Sequence, residues 1–254
     1  ENTKLKNDIV KLKTENSQSE QNPIPSTSKL SSDYPKIDKK YSVITKNICL
    51  ELPPYLRNIP FPGEQEYVSV HGALNRLTVY LGSLKKADRS VVLLQEGRGP
   101  SAQKGKALLV PEGTRLESQP ASSITKAQDT GQYRYIYEIN PAVIQAGLCA
   151  EVSQQAGGGL ELFSFEGKSY FFSIKPISSP FVKGFQIRAR VTPEFPLIKE
   201  ALQKVGAQSV ILRQRLDPQQ YWQERQKYEA GLTGKKRIHL FIFQRAFLVE
   251  EMKS

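Results

Sequence analysis

Apolar positions are densest at residues 238–249, Ile-His-Leu-Phe-Ile-Phe-Gln-Arg-Ala-Phe-Leu-Val, whose first six residues include two aromatics and three aliphatics. The basic run Gly234-Lys235-Lys236-Arg237 precedes this stretch and Glu250-Glu251 follows it. A short run so rich in aromatic and β-branched residues predicts a strand covered on both faces, hence central in its sheet. A buried helix would show a similar pattern, but the breaker Thr233-Gly234 just upstream favours the strand.

The same pattern organises the segments before it. Tyr133, Tyr135, Tyr137 and Ile139 alternate onto one strand face. Asn140-Pro141 then supplies an N-cap and a first-turn proline for a helix running to about residue 155. Two apolar runs, 160–165 and 168–175, flank Glu166-Gly167 and predict a hairpin. Phe185, Ile187, Ala189 and Val191 alternate against Gln186, Arg188 and Arg190. Leu197, Ile198, Ala201, Leu202 and Val205 share one helical face, with Gly206 closing the helix. A strand at 209–212 follows, and Asp217-Pro218 opens a helix containing Tyr221, Trp222, Arg225 and Tyr228. Strands and helices alternate irregularly around a hairpin, which predicts an α+β fold whose mixed sheet has helices on one side.

Upstream the pattern is strand-rich. Residues 41–50, 67–70, 77–81, 90–95 and 107–110 read as strands, and Pro53, Pro54, Pro60 and Pro62 make 51–63 an irregular loop. The expected organisation is a β-rich unit at 41–118 and an α+β unit at 119–254. Before them, Leu5, Ile9 and Leu12 fall at coiled-coil spacing and predict a self-associating helix over 1–20. A frayed polar helix is the alternative, because two heptads alone are marginal in water. Residues 21–40, with Pro23, Pro25 and Pro35 among Ser and Thr, predict a flexible linker. The only methionine is Met252, so further sequence is expected before Glu1.

Composition narrows the chemistry. A chain of 254 residues can bury a substantial core. Its 36 Lys and Arg exceed 25 Asp and Glu, giving +11 spread along the chain without a basic tail. Cys49 and Cys149 cannot make a four-ligand zinc site or a disulfide framework. Buried free thiols are expected, with a single disulfide as the alternative. No stretch reaches the ~20 apolar residues that span a bilayer. The loop 97–106 carries Gly99, Gly105 and Lys106, but five residues separate its glycines and Ala107 stands where a Mg²⁺-binding hydroxyl is needed, so nucleotide triphosphate binding is rejected. His71 and His239 are the only histidines, and His239 reads as a core imidazole. The carboxylates Glu161 and Glu166 read as hairpin surface. No nucleophile, metal or cofactor motif is present in the linear sequence, so the expectation is a non-enzyme with no cofactor.

These features point to a non-enzymatic interaction or assembly domain, the soluble head of a larger oligomeric protein. It would be tethered by the coiled coil through Leu5, Ile9 and Leu12 and leans towards an extracytoplasmic, membrane-anchored placement. Expected partners are proteins or further copies of the chain. A basic rim formed by Arg98, Lys104, Lys106, Lys235, Lys236 and Arg237 would meet an acidic partner or an anionic lipid surface. The alternative is a basic nucleic-acid-binding module, carried by net charge, by the same 98–106 tip and Lys235-Lys236-Arg237, and by Lys85, Lys86, Arg89, Arg188, Arg190, Arg213 and Arg215. Nucleic acid is the less favoured partner, because most aromatics share apolar faces.

Overall fold

A computed structural model describes residues 44–56, 59, 62–94, 115–119, 125–126, 131–214 and 216–252. The chain is a mixed α+β protein with two mixed sheets and few helices. Its contacts divide it into two units. One takes the described residues up to 119 together with Asn140–Gln154; the other takes those from 125 to 139 together with the chain after Gln154.

The first unit holds a five-stranded sheet. Its strands are β1 (Cys49–Leu52), β2 (Glu64–Val70), β3 (Ala73–Tyr80), β4 (Arg89–Leu94) and β5 (Arg115–Glu117), in the order β1-β3-β2-β4-β5. A tight turn at His71-Gly72, both at positive φ, joins β2 to antiparallel β3, and β2 runs parallel to β4. Glycine fits such a turn because it has no Cβ to clash. Leu50, Tyr67, Leu77, Val79, Val91, Leu93 and Leu116 are buried in this unit. Two short helices belong to it, α1 (Pro141–Ala146) and α2 (Cys149–Gln155), and α1 packs on β2, β3 and β4. Asn140 caps α1 by accepting from the Ala142 amide at 2.9 Å. One continuous helix was expected here. Instead Gly147, at φ 70°, ends α1 and returns its N–H to the carbonyls of Val143 and Ile144.

The second unit holds seven strands in the order β10-β11-β12-β9-β6-β8-β7. They are β6 (Tyr135–Ile139), β7 (Glu161–Phe165), β8 (Lys168–Ser173), β9 (Val182–Val191), β10 (Ala207–Leu212), β11 (Lys236–Ile242) and β12 (Ala246–Glu251). The stretch 238–249 is therefore a hairpin rather than one strand. Ile242 pairs with Ala246 around an exposed Gln244-Arg245 turn, and both arms lie inside the sheet. Two helices, α3 (Phe195–Lys204) and α4 (Pro218–Glu229), pack against one face. There Ile198, Leu202 and Tyr228 join Val210, Ile238, Leu240, Ala246 and Leu248 in one core cluster. Asp217 caps α4 by accepting from the Gln219 amide at 2.8 Å.

The other face closes on itself. Tyr170 of β8 lies 5.6 Å from Phe241 of β11, ring centre to ring centre. Those strands stand four places apart in the sheet, about 19 Å if it were flat. The sheet must therefore curl, and Phe163, Phe172, Phe185, Phe243, Phe247 and Val249 fill its concave side. Edge-on aromatic contacts of this kind add to the gain from burial. A bulge in β9 also redirects side chains. Phe185 and Ile187 join the concave cluster, whereas Ala189 and Val191 join the helix side, so these four residues do not share the single face expected of them.

Candidate functional site

One end of the concave surface carries charge. Arg213, just beyond β10, points its Nε–H at Nδ1 of His239 on β11, at 2.9 Å. Its Nη1 donates to Glu138 on β6 at 3.3 Å, again spanning four strand places. The guanidinium lies 5.2 Å from the centre of the buried Phe185 ring, and the His239 ring packs on Phe185 at 5.0 Å. The second imidazole nitrogen stands 3.5 Å from Glu251 on β12, and Lys183 pairs with Glu251 at 2.8 Å. The curl thus brings together side chains from five strands or their ends.

The electrostatics follow from burial. His239 is 2% exposed. Burial, and then the Arg213 charge, push its pKa down to about 4, against an upward pull from Glu251. The ring is neutral near pH 7. Arg213 can only donate, so Nδ1 is the acceptor and the ring proton sits on Nε2, facing Glu251. For Glu251, burial raises the carboxyl, but the hydrogen bond and charge of Lys183, with the Arg213 charge, outweigh it, leaving the group below its usual range. Tyr170 is pushed up to about 12, by burial first and then by Glu138. Both nitrogens of the imidazole are engaged, so His239 orients Arg213 and Glu251 and has no free lone pair for proton abstraction. Arg213 is fixed through Nε, Nη1 and one face, and its Nη2 makes no hydrogen bond or ion pair among the described residues.

A recess of about 10 Å³, the room of one water, is bordered by Arg213, Tyr170, Gln214 and Phe243. The arrangement can therefore hold a planar, hydrogen-bond-accepting group against a preset cation.

The first unit carries a second polar cluster. Glu64 and Glu66, two residues apart on β2, are 1% and 6% exposed. Arg115 bridges them and also meets Glu117 at 2.8 Å. Ser90 donates to Glu64 at 2.6 Å, the amides of Lys86 and Ala87 donate to its other oxygen, and Tyr80 donates to Glu66 at 2.9 Å. Every carboxylate oxygen of the pair is engaged, so this cluster braces the sheet. No group of three or more His, Cys, Asp or Glu able to hold a metal occurs among the described residues. Cys49 and Cys149 are free thiols, both partly buried.

Leu5, Ile9, Leu12, Arg98, Lys104 and Lys106 lie outside the described residues. Lys235, Lys236 and Arg237 are exposed where β11 begins, and Lys236 pairs with Glu250 at 2.9 Å. No helix among the described residues is long and apolar enough to cross a membrane. Glu138, Tyr170, Arg213 and Glu251 were not grouped by the sequence. Arg213 stood out only as a basic residue and His239 only as a core one.

No protein-family model matches the chain, and no curated protein matches it. Among solved structures, the fold is similar to that of a Porphyromonas gingivalis W83 protein provisionally designated a methyltransferase. The TM-score is 0.59 at 16% identity over 90% of this chain. The match covers 57% of the other protein's length. At this identity the likeness is one of fold. It overturns the expectation of a non-enzymatic assembly domain, because the fold occurs in a protein designated an enzyme. The Glu138–Arg213–His239–Glu251 cluster has no short linear signature, because a curled sheet assembles it from separate strands.

Methyl transfer requires a methyl donor, and nucleotide-like donors are commonly held where a strand meets a glycine-rich loop and a helix N-terminus. The described residues do not fit that cradle. β6 leads through Asn140-Pro141 into the six-residue α1, β10 leads through Asp217-Pro218 into α4, and β2 turns back into β3. Prolines occupy two of the places that such a loop would leave to glycine.

Proposed function

We propose that this chain is the acceptor-handling part of a methyl-transferring enzyme, and that the Glu138–Arg213–His239–Glu251 cluster holds the molecule to be modified. The observation that carries the reading is Arg213. Its guanidinium is fixed from three sides at the open end of the concave sheet, in a fold similar to that of a protein designated a methyltransferase. An acceptor anchored there would be oriented by the fork of the guanidinium, and fixed orientation is a large part of catalysis when two molecules must meet. His239 serves as the support that keeps Arg213 in place.

The test is label transfer. The full-length protein is incubated with methyl-labelled S-adenosylmethionine and an extract from its own source. The reading expects label in an acceptor fraction, reduced at least about tenfold in an Arg213→Met variant that stays folded. Absence of transfer, or transfer unchanged by the substitution, refutes it.

A further inference from the structure

We infer that the group recognised at Arg213 is a carboxylate of a small molecule, with one oxygen seated in the water-sized recess beside Tyr170 and Gln214. The inference rests on the reading of this face as the acceptor side and names the acceptor's chemistry. Three observations lead to it.

First, the guanidinium has donors to spare. Its five N–H groups include one given to His239 and one given to Glu138, and the remaining donors suit a planar two-oxygen acceptor. Second, the recess has the size of one oxygen. Its volume of about 10 Å³ admits one oxygen of a larger anion, and Tyr170 and Gln214, two residues whose side chains can donate, border it. Burial holds Tyr170 protonated across the physiological range, so it is available as a donor. Third, the recess and the guanidinium have apolar neighbours as well as charged ones. The aromatic walls, Phe243 at the recess and Phe185 beneath the guanidinium, favour a carboxylate attached to an apolar or aromatic body.

Binding is measured on the full chain without any methyl donor, so a failure here is separate from a failure of methyl transfer. Sodium benzoate is titrated against the protein and followed by NMR of the Arg213 and Gln214 side chains. Sodium chloride, inorganic phosphate and a single-stranded oligonucleotide are run at matched ionic strength. The expected result is saturable benzoate binding with shifts confined to these side chains and Tyr170. Arg213→Met should weaken it about tenfold or more. That substitution also leaves Glu138 and His239 without their partner, so Tyr170→Phe, which removes only a hydroxyl, is the second variant and should weaken binding several-fold in a folded protein. Benzoate behaving like chloride, or binding unchanged in Tyr170→Phe, overturns the inference. Phosphate or the oligonucleotide binding more tightly than benzoate overturns the carboxylate assignment.

Discussion

The buried imidazole makes the fold acid-sensitive in a defined window. His239 has a folded pKa of about 4, whereas an unfolded histidine titrates near ~6.5. As pH falls below ~6.5 the unfolded chain takes up a proton that the folded chain refuses, so stability drops, and the loss is complete once pH passes the folded value. A difference of about 2.5 units corresponds to about 3 kcal/mol in full, and to about 1 kcal/mol by pH 5.5. Exposure of only 2% supports applying this with little solvent discount. The perturbation is His239→Gln, which can still accept from Arg213 and donate towards Glu251 but does not titrate. Urea unfolding of both proteins from pH 7.5 to 4.5 is the assay. Other titrating groups are common to the two, so the difference between the curves isolates the imidazole. The wild type should lose stability on acidification faster than the variant, by about 2 kcal/mol at pH 5. Parallel curves, or an imidazole NMR titration near the ordinary histidine value, would refute the placement of His239.

Two further substitutions probe the supports of each unit. Arg115→Met strips the shared cation from Glu64 and Glu66, both buried, and should destabilise the protein by about 3 kcal/mol at pH 7, read by chemical denaturation. Lys199 of α3 donates to the carbonyls of Tyr228, at 2.8 Å, and of Ala230 at the end of α4; Lys199→Met should therefore cost about 1–2 kcal/mol, read as a lowered melting temperature with secondary structure retained.

The parts of the fold that were legible are those governed by local chemistry. Asn140-Pro141 and Asp217-Pro218 both open helices, with each acidic or amide side chain capping as expected. Glu166-Gly167 turns β7 into β8, with both residues at positive φ. Local chemistry also hid things. A hydrophobic run does not reveal a reversal within it, because Gln244-Arg245 contains neither glycine nor proline, so one strand was expected where two lie. A bulge is likewise silent in an alternating pattern. The shift opposite Leu248 and Val249 moves Ala189 and Val191 to the helix face while leaving Phe185 inside the curl.

The cluster was illegible for a deeper reason. Glu138, Arg213, His239 and Glu251 are scattered over more than a hundred residues, and each has an unremarkable neighbourhood in the sequence. What joins them is curvature. A flat sheet would hold Arg213 and Glu138 about 19 Å apart, at four strand spacings. The sequence marked Phe241, Phe243 and Phe247 as core and Phe163, Phe172 and Phe185 only as strand positions, and a core residue's contribution to a site lies in where it sends its neighbours. Phe185 illustrates the point: it is fully buried, and the guanidinium, the imidazole and the Lys183 ammonium all pack around its ring. The packing that closes the sheet is thus the same packing that aims the charges. Substitutions in the aromatic layer should therefore disturb the proposed carboxylate binding at Arg213, read by benzoate titration, as well as stability, whereas substitutions among the helix-side residues should affect stability alone.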